Sequence, residues 1–137
     1  MARSTLRRAH GDIGEAIAAG YLVEAGWRVL GRQVVVARDE VDIVALDPGP
    51  SPNLVIVEVR SRATDRFGPP EASVDRAKLL RCFRALGALR RAGSLPDGTP
   101  LPHVPWRVDL VAVDLDPTWG SGVGGPRLRH LRGVLPP

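Results

Sequence analysis

The chain holds one cysteine, Cys82, and one lysine, Lys78, and only 4% of its 137 residues are Phe, Trp or Tyr. A lone cysteine excludes an internal disulfide and fits a reducing compartment, so the cytoplasm is the expected location. Apolar runs are short: those such as Val34-Val35-Val36 are strand-sized, against the roughly 18 residues a membrane span requires. No membrane partner is expected. The basic N-terminus, Met1 to Arg8, is not followed by the apolar segment of a signal peptide. His10, His103 and His130 are scattered and no second cysteine joins them, which argues against a zinc site. Neither a Gly-rich phosphate loop nor a G-x-S-x-G nucleophile elbow is present.

What is abundant is arginine. Every one of the 19 basic residues except Lys78 is Arg, and the net charge is +4. With a sequence pI of about 10.5 this favours a polyanionic partner, and the guanidinium fork matches phosphate bidentately. A GC-rich coding sequence produces the same bias, and +4 also lies within ordinary solubility charge. An apolar fraction of 44% beside 25% charged residues is that of a soluble globular protein. Residues 1–9 read as a basic lead-in or the first turn of a helix, and residues 10–137 as one domain.

The most informative stretch is a hairpin, Glu40 to Arg62. Its turn, Asp47-Pro48-Gly49-Pro50-Ser51-Pro52-Asn53, continues neither strand nor helix and forces a reversal. Folding symmetrically about Pro50 places Asp42 opposite Glu58. Directly opposed residues of an antiparallel pair lie roughly 4.5–5.5 Å apart, and like charges there repel. Two carboxylates so placed call for a cation between them. By strict alternation Glu40, Asp42, Val44 and Leu46 share one face, and Val41, Ile43 and Ala45 the other. In the second strand Leu54, Ile56, Glu58, Arg60 and Arg62 share a face. Each strand thus has a face that is apolar at the turn and charged at the open end, which suits the floor of a cleft.

Around the hairpin, helical spacing of Gly14, Ile17, Ala18, Tyr21, Leu22 and Ala25 predicts a first helix from Asp12, closed by Gly26. Glu15 lies at the edge of its apolar stripe. Asp12-x-x-Glu15 reads equally well as a capping box at the helix start. Trp27 to Leu30 and Gln33 to Val36 read as a strand broken near Gly31. A second helix is expected over about 71–92, with Leu79, Cys82, Phe83, Leu86 and Leu89 buried and Lys78, Arg81, Arg84 and Arg91 on the opposite arc. Such an arc is ordinarily solvated, and in a phosphate-handling protein it also binds nucleic-acid backbone. Residues 93–105 read as a loop, Trp106 to Leu115 as a strand, residues 117–126 as flexible, and Leu128 to Val134 as an edge strand. The order α-β-β-β-α-β-β gives an α/β fold, a mixed sheet flanked by helices.

Carboxylate oxygens suit a hard cation, Mg²⁺ or Mn²⁺. In a basic protein that combination points to phosphodiester hydrolysis, because a metal polarises the phosphate and lowers the pKa of a bound water. The alternative is a surface ion-pair network in which Arg38, Arg60 or Arg62 neutralises the two acids.

The spaced motifs Gly11-x-x-Gly14-Glu15-x-x-Ala18-x-x-Tyr21-Leu22-x-x-x-Gly26-Trp27, Glu40-Val41-Asp42-Ile43-Val44 and Val57-Glu58-Val59-Arg60-Ser61-Arg62 carry a resemblance. Phe67-Gly68-x-Pro70-Glu71-Ala72, Lys78 and Arg107-x-Asp109 continue it. Over roughly residues 10–134 the chain resembles the YraN-like family (uncharacterised protein family 0102). That family is similar to the PD-(D/E)xK nuclease superfamily, which includes the archaeal Holliday-junction resolvases. The resemblance implies a restriction-endonuclease-like core and a DNA endonuclease, acting on branched or single-stranded substrates. It also implies metal ligation by Asp42, Glu58 and the Val59 carbonyl, with Glu15 an additional catalytic acid. Lys78, Arg81, Arg62 and Arg84 are the expected nucleic-acid contacts. A homodimer for cutting two strands is left open.

The chain departs from the family pattern where E-x-K is usual, reading Glu58-Val59-Arg60. Arginine, with a pKa above about 12, cannot serve as a base, so Arg60 can act only electrostatically. Lys78 either takes over the missing lysine's role or is a plain phosphate-contacting or solvated lysine. Gln33 replaces the family's usual Asn, and Asp39, in place of Gly, adds a negative charge beside Glu40. The competing readings are a nucleic-acid-binding module whose chemistry has decayed, and an interaction domain without a nucleic-acid role.

Overall fold

The hairpin registers as the turn dictates. In the computed structural model, which describes residues 2–62, 76–115 and 127–137 with side chains from residue 11 onward, Asp47 pairs with Asn53 and Ile43 with Val57. The strands are β1 (Arg28–Val36), β2 (Asp39–Asp47), β3 (Asn53–Arg62), β4 (Trp106–Asp114) and β5 (Arg127–Leu131). They lie side by side in chain order. All neighbours are antiparallel except β3 and β4, which run parallel because α2 (Arg76–Ala92) connects them. Helix α1 (Ala2–Glu24) covers the opposite face. The mixed α/β architecture and its element order are those expected.

Two cores sandwich the sheet. On one face Ala18 and Leu22 of α1 pack with Trp27, Ile43, Val55, Val57, Val111 and Val113. On the other, Cys82, Ala85 and Leu89 of α2 pack with Val44, Leu54, Ile56 and Val108. The loop at residues 93–105 seals this second core with buried Leu95 and Leu101. Helix α1 ends as its sequence requires. Gly26, at φ 91°, lets the Trp27 amide reach the Leu22 carbonyl (2.9 Å) and its own amide reach Val23 (3.0 Å), a Schellman closure in which Trp27 and Leu22 share a core.

Three details differ from expectation. Helix α1 begins at Ala2, so Asp12 and Glu15 sit mid-helix, where the backbone donors of a helix start are already satisfied, and the capping-box alternative fails. The last strand spans Arg127–Leu131 instead of reaching Val134. Most consequentially, strict alternation breaks in β2. Val41 packs in the α2-side core with Val44, whereas Ile43 and Ala45 face α1. Its partner strand turns over at the same point: Arg32 reaches α1, yet Val34 and Val36 belong to the α2-side core. The β1–β2 register shifts between Val29 and Gly31 but is unbroken beyond it, Arg32 with Ile43 and then Val34 with Val41, so no residue is inserted at this point and the ribbon itself twists. The cause is Gln33, held at φ 49° between those two steps. The start expected near residue 71 for α2, the Phe67–Ala72 motif and the segment 117–126 lie outside the described residues. Among the described residues no helix is long and apolar enough to cross a membrane.

Helix α1 meets β3 at Gly14, where an added Cβ would fall 2.6 Å from the Cβ of Ser61. Gly14→Ala brings a helix-propensity gain of about 1 kcal/mol, against an overpacking cost of roughly 1–3 kcal/mol. We expect the clash to dominate, with a lower denaturation midpoint that Ser61→Gly restores. A Gly14→Ala protein at least as stable as the parent would contradict this contact.

Candidate functional site

Beyond Ile43 and Val57 the ladder between β2 and β3 stops, and the twisted end of the β1–β2 hairpin diverges from β3. The Asp42 side chain takes the place of the next ladder bond, its Oδ2 accepting the Val59 N–H at 2.8 Å. The divergence opens a cleft of about 450 Å³, with Asp42, Glu58 and Val59 on its floor. Lys78, Arg81 and Cys82 of α2, Arg38 and Glu40 of the arm, Arg60 of β3 and Glu15 of α1 line the rest. An adjoining hollow of about 640 Å³ shares Asp12, Glu15, Gln33 and Glu40 with it and adds Arg32.

Asp42 and Glu58 hydrogen-bond to one another. Burial pushes the Glu58 carboxyl up to about 8, reinforced by the charge and hydrogen bond of Asp42, while Arg60 and Lys78 pull weakly the other way. Burial also raises Asp42, against the Val59 hydrogen bond. Two half-buried carboxylates that repel each other retain a proton near neutrality. Arg60 does pull both groups down, as the ion-pair alternative expects, but burial and the neighbouring carboxyl outweigh it. Burial pushes the Cys82 thiol up to about 12, and its protonated Sγ lies 3.9 Å from Glu58 Oε2. The donor set, two carboxyl groups, fits a hard divalent cation better than a soft one. Among the described residues no group of three or more His, Cys, Asp or Glu side chains is gathered to hold a metal. A cation here would rest on the carboxylate pair supplemented by main-chain or water oxygens.

The other expected residues divide. Arg60, Lys78 and Arg81 line the cleft, whereas Arg62 and Arg84 do not. Arg84 grips Asp39 through two bonds of 2.7 and 2.6 Å, and that hydrogen bond holds the Asp39 carboxyl below its ordinary range. The expected extra negative charge at Asp39 is thus offset by its own arginine, which the face-switching twist brings within reach. Glu15 is 5% exposed, its Oε1 accepting Arg32 Nε at 3.0 Å and its Oε2 accepting Gln33 Nε2 at 3.4 Å.

A second polar cluster escaped the sequence reading. Asp109, fully buried, accepts Arg107 on both oxygens (2.8 and 3.0 Å), the Gly133 N–H (3.0 Å) and a bond with His130 Nε2 (2.8 Å). His130 Nδ1 shares a 2.8 Å bond with the Tyr21 hydroxyl, and Arg107 also reaches Asp47 at 2.8 Å. Burial alone would raise Asp109, but hydrogen bonds from His130, Arg107 and the Gly133 amide bring it below its ordinary value. This network ties α1, β2, β4, β5 and the C-terminal segment together. Only the same-face pair Arg107 and Asp109 hinted at it, because Tyr21 and His130 come from opposite ends of the chain.

Comparison with known proteins gives a consistent result. The model of the uncharacterised protein family UPF0102 matches residues 14–113. A UPF0102 protein of Arthrobacter sp. (strain FB24) is 42% identical over 125 residues, 90% of this chain and 93% of that one. Another, from Moorella thermoacetica, is 40% identical over 111 residues, 80% and 84% of the two chains. A third, from Roseiflexus castenholzii, is 39% identical over 105 residues, 77% and 78%.

The electrostatics of the carboxylate pair have a sign that can be measured. Glu58 binds its proton more tightly folded than unfolded, so its stabilisation is complete below about 4.5 and is lost as pH rises through about 8. Asp109, whose value is lowered, acts in the opposite sense and at acid pH. Without added metal the melting temperature is expected to fall between about pH 5 and pH 9, and Glu58→Gln to flatten that fall. A parent protein whose stability is level across this window would refute the shared proton.

Proposed function

The chain belongs to the uncharacterised protein family UPF0102, whose name carries no activity, and from the cleft itself we propose that it is a metal-dependent endonuclease hydrolysing DNA phosphodiester bonds. The observation that carries this reading is the half-buried Asp42–Glu58 pair, just beyond the end of the hairpin ladder, in a cleft that Arg38, Arg60, Lys78 and Arg81 line together with Asp12, Glu15, Asp39 and Glu40. Asp42, Glu58 and the Val59 carbonyl would hold Mg²⁺ or Mn²⁺. When bound, such an ion polarises the scissile phosphate, lowers the pKa of its water and offsets charge on the leaving oxygen.

The chain's own residues supply the rest. Lys78, Arg81 and Arg38 bind and orient the phosphate backbone along the walls of the cleft. Arg60, fixed two residues beyond Glu58, stabilises negative charge on the phosphate but exchanges no proton. The single cysteine fits action in the cytoplasm.

Arg60 also favours a second reading, a nucleic-acid-binding module on a nuclease scaffold whose chemistry has decayed. Cleavage of linear, single-stranded and four-way-junction DNA with Mg²⁺ or Mn²⁺ separates the two. The nuclease reading expects the parent to cut, and Asp42→Ala and Glu58→Ala to fold normally and lose cleavage. Full activity in either variant would refute the site. The decayed reading expects an inactive parent that still binds DNA with a steep salt dependence, and cleavage gained by Arg60→Lys.

A further inference from the structure

The feature that shapes the cleft is the twist at Gln33. In register this residue lies opposite Asp42, between the paired steps Arg32–Ile43 and Val34–Val41. It is neither glycine nor asparagine, yet its φ is 49°, a conformation that strains an ordinary L-residue and persists only where the surroundings enforce it. The enforcing contact comes from α1. Glu15 takes the Gln33 side-chain amide on one oxygen and the Arg32 guanidinium on the other. Glu15 is buried while Arg32 remains 44% exposed on its side chain, so the carboxylate is the fixed end of the pair. The helix is itself pinned to β3 one residue earlier, through the close approach of Gly14 to Ser61.

These contacts form a chain of position. Strand β3 locates Gly14, Gly14 locates Glu15, and Glu15 holds Arg32 and Gln33. Gln33 turns the ribbon over opposite Asp42, and Asp42 then returns to β3 at the Val59 amide beside Glu58. We propose that Glu15, Arg32 and Gln33 are a strap that fixes the angle of the β1–β2 arm and thereby carries Asp42 to Glu58. In this scheme Glu15 is a positioning residue, with both oxygens committed to the arm. The proposal deepens the hydrolytic reading of the cleft and rests on it for its biological meaning, but its test needs neither metal nor DNA.

Amide hydrogen exchange followed by NMR reads the strap directly, because the Val59 N–H is held by Asp42. Arg32→Ala, Glu15→Gln and Gln33→Val each cut one link, and valine in addition resists a positive φ. Each is expected to speed exchange at Val59 and Val41 by about tenfold or more, while Val55, Val57 and Val111 in the core keep their protection. Gln33→Asn, whose shorter amide falls short of Glu15 but which tolerates the left-handed conformation, is expected to exchange faster than the parent and more slowly than Gln33→Val. Val59 protection unchanged in Arg32→Ala and Gln33→Val would overturn the strap. So would faster exchange spread evenly over the core, or a Gln33→Asn protein as loose as Gln33→Val. A parent protein that never cleaves DNA would sink the hydrolytic reading and leave these exchange results standing.

Discussion

Two carboxylates forced to within touching distance in a half-buried cleft are the constraint around which the molecule is arranged. Asp42 and Glu58 come together just beyond the ladder that the Pro-rich turn sets, and a retained proton relieves the repulsion that Arg60 and Lys78 do not offset. A fold optimised for stability alone would avoid this placement. The surrounding structure absorbs its cost: α1 and α2 clamp the sheet from both faces, and the Val59 amide satisfies Asp42.

Contrast with the Asp109 cluster sharpens the point. Asp109 is more deeply buried than either cleft acid, yet arginine, histidine and a main-chain amide surround it and lower its carboxyl. That is how a fold treats an acid kept for structure. Asp39 with Arg84 is treated alike. Asp42 and Glu58 have Arg60 and Lys78 nearby, but these do not overcome burial and mutual repulsion. The contrast is one of direction: the partners of Asp109 and Asp39 lower their carboxyls, whereas burial and mutual proximity raise Asp42 and Glu58.

Much of this was legible in the sequence, for physical reasons that can be named. A turn containing three prolines has few ways to fold, so the register from Asp47–Asn53 to Ile43–Val57 followed from counting outward from Pro50, and the ladder ends one step short of Asp42 and Glu58. The closure of α1 followed from Gly26, and the element order from the change between period-2 and period-3.6 patterns. The twist at Gln33 was not legible. Alternation assumes an unbroken strand, and a glutamine at positive φ carries no local signal, since α1 imposes it from outside the strand. The Asp39–Arg84 pair depends on that twist and was hidden with it. The Tyr21–His130–Asp109 chain joins residues distant in sequence, whose proximity only the folded sheet creates.

The central claim, that the paired acids form a cation site, has a direct thermodynamic signature. A cation displacing the shared proton must release it to solvent. Calorimetric titration of Mn²⁺ into the protein near neutral pH, repeated in buffers of different ionisation enthalpy, is expected to show release of about one proton per bound ion, declining at higher pH and abolished with binding in Asp42→Ala. Absence of Mn²⁺ binding, or binding with no proton release that survives Asp42→Ala, would contradict it.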